Sequence, residues 1–288
     1  MRQQRSIAKT VSVSGFGYWS GEDVRIEFRP AEPDTGVVFV RGDLTPPARI
    51  EATVERRIEM SRRTTLAVGG IAVEMVEHIL AACAGMQVDN CEIWTDRPEM
   101  PGCDGSSLRF VEALFEAGIV DQQVPRQLRR VHALIRVGDE ESWVEVRPTD
   151  LSCPLLRYQL DYGEHSAIGY QELDMELTPE TFASRLAGAR TFLLQAEAEW
   201  MRSRGLGRRV SYQDVIVFNC QGPLHNRLRY PDECVRHKVL DLVGDLALAG
   251  CDLAGEFVAY RSGHRLNAQL VRTLLTRDAT CQPLRRSA

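Results

Sequence analysis

The sequence predicts an α+β fold of two related halves, each a small β-sheet carrying helices on one face. Three observations carry this reading. The segment Val24-Arg25-Ile26-Glu27-Phe28-Arg29-Pro30 is echoed by Ser142-Trp143-Val144-Glu145-Val146-Arg147-Pro148, and each alternates with the period of a strand before a proline stops it. An apolar helix ending Ala81-Ala82-Cys83-Ala84-Gly85 is echoed by one ending Leu246-Ala247-Leu248-Ala249-Gly250, and a strand follows each. The order strands, helix, strand, loop, helix therefore occurs twice, which is an α+β rather than an alternating pattern.

The elements can be justified in turn. In the first half the nearly all-apolar stretch from Met75 forms a helix that Gly85 ends. The loop Asp104-Gly105-Ser106-Ser107 then opens a helix with apolar Leu108, Val111, Leu114 and Phe115, closed by Gly118. The polar stretch from Asp121 to Arg130 is the natural boundary, dividing the 288 residues into domains 1–125 and 126–288, each long enough to bury a core. In the second half residues 193–217 fit neither repeat and are expected to be an insertion, helical around Glu197 to Met201 and then rich in Gly and Arg. A helix starts at Pro231, a favoured first helical position, and stops near Gly250. The strand Glu256 to Tyr260 follows, then Arg261-Ser262-Gly263-His264 opens a last helix through Leu270 and Leu274, with a frayed tail expected from Thr276 to Ala288.

Composition narrows the function. A net charge of −5 offers no cationic field for phosphate backbones, so nucleic-acid binding is not expected and a small-molecule substrate is. The longest uncharged apolar run, Ile79 to Val88, falls short of the ~18 residues that cross a bilayer, and the start has no signal-peptide core. A cytoplasmic monomer is the expectation. The eight cysteines are scattered without a Cys-x-x-Cys pair and read as reduced fillers. Lys9 and Lys238 are the only lysines among 35 basic residues, so the lysine beside His237 reads either as a required compact ammonium or, equally, as chance.

The helix from Pro231 to Gly250 is apolar almost all round between Val239 and Ala249, so it should be buried, and Asp241 and Asp245 interrupt it. Buried carboxylates need partners, because desolvating them unpaired costs several kcal/mol (~2–7). His237, Asp241 and Asp245 step by four along one face, close enough for His237 and Asp241 to share a metal. Glu77 and His78 are the matching anomaly of the first apolar helix. If the halves pack these helices face to face, His78 joins His237 and Asp241 as two imidazoles and a carboxylate with an open fourth position, the arrangement of a catalytic zinc. Glu77, a quarter turn from a ligand, can serve as general base, and His264 as an acid kept protonated by Asp245. Each residue alone has a blander reading, a core histidine or a solvated loop; their convergence argues for chemistry.

Four segments then resemble one family: Val76-Glu77-His78; Ala189-Arg190-Thr191-Phe192; the run from Leu228 through His237-Lys238 to Asp241; and Ser262-Gly263-His264-Arg265-Leu266-Asn267. With Pro33-Asp34-Thr35-Gly36 and Cys103-Asp104-Gly105-Ser106 they are similar to the UDP-3-O-acyl-N-acetylglucosamine deacetylases of lipid A biosynthesis, from about Gln4 to Leu275. The resemblance implies that the helices of the two halves meet between two outer sheets, and that His78, His237 and Asp241 bind Zn²⁺, with Fe²⁺ as the alternative metal. It further implies Glu77 as base, His264 as acid oriented by Asp245, Thr191 near the developing oxyanion, Lys238 on the substrate's phosphates, Phe192 on the hexose and Tyr162 on uracil. The substrate implied is an acylated UDP-amino sugar that loses acetate. Departures fall elsewhere: Trp19 replaces a His in Gly15-Phe16-Gly17-Tyr18-Trp19-Ser20-Gly21, Met75 a Thr, Ser166 a Pro, and Arg208-Arg209 a Gly-Gly pair. They leave room for a divergent deacetylase of another N-acetylated nucleotide sugar, and a non-catalytic regulatory paralogue is the reading from a different class.

Overall fold

In the computed structural model, which describes residues 2–279, two five-stranded sheets share one strand order. The first runs Val11–Phe16, Asp23–Pro30, Cys91–Thr95, Val37–Arg41, Ala48–Glu51; the second runs Ile135–Gly138, Trp143–Arg147, Glu256–Tyr260, Leu155–Asp161, Tyr170–Glu176. In each, the last strand to arrive inserts at the centre, parallel to the third strand and antiparallel to the second. Parallel neighbours need a crossover, and an apolar helix supplies it in both halves. The echoed segments occupy equivalent strands, and both echoed helices are crossovers, so the duplicated order is borne out. The alternation is physical: along Asp23–Pro30, Val24, Ile26 and Phe28 are buried while Asp23 and Arg25 are exposed.

Six α-helices are present among the described residues: α1 Glu77–Gly85, α2 Leu108–Ala117, α3 Pro179–Thr181, α4 Gln195–Ser203, α5 Glu233–Leu246 and α6 His264–Ala279. α1 lies against α5, α2 packs on Val11–Phe16, α6 packs on Ile135–Gly138 and Trp143–Arg147, and α5 covers Leu155–Asp161 and Tyr170–Glu176. One apolar core runs through both halves. On α5, Val239, Leu240, Leu242, Val243 and Leu246 are buried, each stabilising by up to about 1.5–3 kcal/mol before conformational entropy is set against it. The crossing of α1 and α5 is close because residue 244 is glycine: a Cβ there would stand 2.1 Å from the Glu77 carbonyl oxygen. An ion network adds a second tie between the halves, with Arg2 reaching Asp89 at 2.6 Å and Asp252 at 2.7 Å and Arg126 reaching Asp89 at 2.9 Å.

The departures from expectation are local. The helix expected from Met75 begins at Glu77, since Met75 has φ 58° in the left-handed region that does not continue a right-handed helix. The helix expected to run to Gly250 ends at Leu246 and tightens into a 3₁₀ turn, Ala247–Ala249, with Gly250 at φ 68°. Phe115, expected on the apolar face of α2, is 60% exposed. The polar stretch 121–130, expected as the boundary, is mostly strand: Ile119–Pro125 pairs with Gln3–Ile7, and Leu128–Arg130 pairs with Asp252–Ala254. Segment 193–217 forms a parallel βαβ unit, Phe192–Leu194, α4 and Ile216–Asn219. Its first-half counterpart, the three-stranded sheet Arg57–Ile58, Thr65–Val68, Ile71–Glu74, was not foreseen. Of the expected tail, residues 276–279 continue α6 and 280–288 lie outside the described residues. No helix among the described residues is long and apolar enough to cross a membrane.

Candidate active site

The first turn of α1 and the middle of α5 meet where Gly244 lets them touch, and there His78, His237 and Asp241 converge. Their ligand atoms all lie within 4.8 Å of one another, and all three residues are buried. Asp241 Oδ1 is 3.7 Å from His78 Nε2 and 3.5 Å from His237 Nε2. Tetrahedral zinc bonds of about 2.0–2.2 Å put neighbouring ligand atoms ~3.3–3.6 Å apart, so the donor set fits such an ion with small adjustments. Among the described residues no other His, Cys, Asp and Glu group has this spacing.

The protonation states suit ligation. Burial drives the His237 imidazole down to about 3, helped by His78 and Lys238 against the pull of Asp241, so the ring is neutral. Its Nδ1 donates to the Ala189 carbonyl at 3.1 Å, which fixes the tautomer that turns the Nε2 lone pair toward Asp241. Burial favours a neutral Asp241, but Lys238, His237 and His78 outweigh it and hold the carboxyl well below its ordinary range. His78 is anchored through its backbone, whose carbonyl accepts from Ser107 Oγ at 2.8 Å.

Behind this triad lies a second charge system. Asp245, fully buried, accepts from His264 Nδ1 at 2.9 Å, Asn267 Nδ2 at 2.8 Å and Thr64 Oγ1 at 2.6 Å. Burial alone pulls the His264 imidazole down, yet Asp245, with Asp241 and Glu77 beyond it, lifts the ring to about 9. Glu77 moves up from the carboxylate range through burial, opposed by His264 and His78. Its Oε2 accepts from the Thr64 backbone N–H at 2.9 Å. Thr64 therefore holds both carboxylates, the amide on Glu77 and the hydroxyl on Asp245.

Nine of the ten predicted site residues line one cavity of about 970 Å³: Glu77, His78, Tyr162, Thr191, Phe192, His237, Lys238, Asp241 and His264. Asp245 stands behind His264. His264, expected in a loop, is the first residue of α6, with Asn267 in the same turn. Lys238 is at the site, but its ammonium donates to Asp241 Oδ2 at 2.6 Å rather than standing free. Phe192 packs edge-on to His237 at 6.3 Å and to Tyr162 at 5.9 Å, so the two aromatics assigned to hexose and base form one wall. Thr191 is fixed by its backbone: its N–H donates to Gly105 O at 2.8 Å and its carbonyl accepts from Ile216 N at 3.0 Å. The neighbouring Arg190 is buried on Glu233 of α5 at 2.8 Å, which ties the Thr191 segment to the helix that carries His237 and Asp241.

Sequence reasoning missed Thr64, and gave Asn267 no role. Thr64 lies 181 positions from Asp245, just before the strand Thr65–Val68 of a sheet the sequence did not reveal, and nothing local marks it. At the departure Trp19, the guanidinium of Arg63 stacks on the indole at 4.4 Å and pairs with Glu74 at 2.8 Å, so Arg63 covers that apolar wall.

The family model of the UDP-3-O-acyl N-acetylglycosamine deacetylases matches residues 4–276, nearly the whole chain. The chain belongs to that family. Curated UDP-3-O-acyl-N-acetylglucosamine deacetylases resemble it throughout. That of Oleidesulfovibrio alaskensis is 40% identical, over 94% of this chain and 88% of its own length. Those of Histophilus somni and Myxococcus xanthus are 38% and 37% identical, each over 96% of this chain and over 90% and 88% of their own lengths. The deacetylase family match and the observed α+β architecture agree with the resemblance read from the four segments.

Proposed function

We propose that this deacetylase hydrolyses the N-acetyl group of a UDP-3-O-acyl-N-acetylglucosamine in lipid A biosynthesis, releasing acetate, and that it uses a divalent metal, Zn²⁺ or alternatively Fe²⁺. The observation that carries the reading is the buried set His78, His237 and Asp241 within 4.8 Å, flanked in one cavity by Glu77 and His264. Such an ion would supply Lewis acidity toward the acetamide carbonyl and bring the pKa of the attacking water toward ~7.

The chain's own residues account for the proton movements. Thr64 holds Glu77 by Oε2, leaving Oε1 to take the proton of the attacking water. His264, kept charged by Asp245, carries the opposite protonation state, so a base and an acid stand ready at the same pH. The proton on His264 offsets charge developing on the carbonyl oxygen beside Thr191 and serves the departing amine. Lys238, drawn onto Asp241, keeps that ligand ionised, and its place on the cavity wall suits a substrate phosphate. Phe192 and Tyr162 offer apolar faces to the sugar and the base. The intact pair Glu77 and His264 speaks against a purely regulatory role. No disulfide joins any two of the seven cysteines among the described residues, in keeping with the cytoplasm, where the enzyme is proposed to act as a monomer.

The test is acetate release by the metal-loaded enzyme, with acylated and unacylated UDP-N-acetylglucosamine compared side by side and metal content measured on the same sample. Turnover restricted to the acylated substrate is expected. Equal turnover of both would move the assignment to another N-acetylated nucleotide sugar, and none with either would end it.

A further inference from the structure

Two chain segments border the cavity on one side, and their composition sets them apart. Residues 56–62 and 195–209 together hold seven arginines against three glutamates; Arg57 is buried and Arg56, Arg62 and Arg209 pair with Glu51, Glu197 and Asp23, which leaves Arg202, Arg204 and Arg208 to present charge outward. The segments are joined by the ion pair of Arg62 with Glu197 at 2.8 Å, and Met60, Arg62, Ala198 and Met201 from the two segments line the same cavity. On them stand Ile58, Met60 and Trp200, exposed by 43%, 36% and 51%. A large aromatic left half in water is unfavourable unless something covers it, and exposed apolar groups rimmed by cations mark an interaction surface. Arg204 stacks on Trp200 at 5.3 Å, and neither it nor Arg208 pairs with an acid among the described residues.

We propose that this rim docks the enzyme on an anionic lipid surface, with Trp200, Met60 and Ile58 at the level of the headgroups and the arginines on lipid phosphates. Indole sits favourably at a membrane interface, apolar body inward and N–H toward water. Arg202, Arg204 and Arg208, which no acid neutralises among the described residues, supply charge complementarity to anionic lipid beside the exposed aromatic. A protein partner would need a face of its own with matched acids; a bilayer requires only interfacial aromatics and cations, which is what the rim presents. The cavity mouth then opens at the bilayer surface, the place from which an amphiphile enters, and this consequence, though not the docking, rests on the proposed acylated substrate.

The experiment is sedimentation of the full chain with vesicles of phosphatidylglycerol and phosphatidylcholine, against phosphatidylcholine alone, at low and high salt. Binding to the anionic vesicles alone, weakened by salt, is expected. The variant Trp200→Ser and the double variant Arg204→Glu, Arg208→Glu should each lose it, by roughly fivefold or more per arginine. Both should still hydrolyse a short-chain, water-soluble substrate at the wild-type rate, which also shows that they fold. Wild-type protein that stays in solution with both vesicle types, or variants that sediment as well as wild type, would overturn the proposal. Because sedimentation needs no turnover, loss of docking and failure of the deacetylase assignment are separate results.

Discussion

The charge of His264 depends on Asp245, and Asp245→Asn tests this directly. The carboxylate is fully buried at 2.9 Å from the ring, and with it the imidazole rises from about 6.5 to about 9 although burial acts the other way. That rise is two to three pH units, and at ~1.4 kcal/mol per unit the surroundings favour the charged ring by ~3 kcal/mol. Asparagine removes the largest upward contribution and leaves burial opposed only by the more distant Asp241 and Glu77, so the ring should titrate well below its wild-type value. The assay is an NMR titration of the His264 ring in metal-stripped protein, wild type against variant. Stability gives a second reading with a definite sign. A pKa raised on folding contributes stability that is fully present below ~6.5 and is lost as pH rises through about 9. The advantage of wild type over Asp245→Asn in urea unfolding should therefore shrink between these two values. An imidazole that keeps its raised pKa in Asp245→Asn would refute the pairing as its cause.

Four further outcomes follow from the same geometry. Glu77→Gln should keep its metal and lose ~10²–10⁴ in kcat, since it removes the base and preserves size; a variant with full activity would dismiss Glu77 from that role. Thr64→Val takes one donor from buried Asp245 and should cost about 1–3 kcal/mol in denaturant unfolding while lowering kcat, with Thr64→Ser restoring both; an unaffected Thr64→Val would make the hydroxyl incidental. Exhaustive treatment with a chelator should abolish acetate release, Zn²⁺ or Fe²⁺ should restore it, and His237→Ala or Asp241→Ala should purify with little metal; activity that survives the chelator argues against a metal enzyme. Gly244→Ala places a methyl 2.1 Å from the Glu77 carbonyl oxygen and should destabilise by about 1–3 kcal/mol through forced separation of α1 and α5; an unchanged unfolding midpoint would contradict the close crossing.

Much of the fold was legible because duplication doubles each signal. The strand Val24 to Pro30 and its echo at Ser142 to Pro148 could be recognised by period-2 alternation alone, and both occupy the second position of their sheets. Helices α1 and α5 were legible as apolar runs, and Gly85 as the end of α1, but the start of α1 and the end of α5 were not. Met75 leaves the helical region through a backbone angle that no side-chain pattern announces, and Gly250 terminates a 3₁₀ turn rather than the α-helix itself. The strands within 119–130 escaped notice because polar residues predominate there and mark a boundary, and they are held by pairing with Gln3–Ile7 and Asp252–Ala254, partners distant in sequence.

The candidate site was legible for a different reason. A histidine or carboxylate inside an apolar helix is an energetic anomaly that one sequence can display, because the helix context already implies burial. His78, Asp241 and Asp245 stood out in this way. Thr64 could not: a threonine at a strand edge is ordinary, and its importance exists only once α5 is folded against the three-stranded insertion. The same holds for Gly244, an unremarkable glycine until α1 crosses it. The conspicuous candidates come from equivalent helices of the two halves, Glu77 and His78 from α1 and His237, Asp241 and Asp245 from α5, so neither half holds the candidate site alone. What positions them is the inter-half contact, and Thr64 joins Glu77 of one half to Asp245 of the other. A change that loosens α1 from α5 should thus separate base from acid as well as ligand from ligand, and the cost to catalysis should exceed the cost to stability.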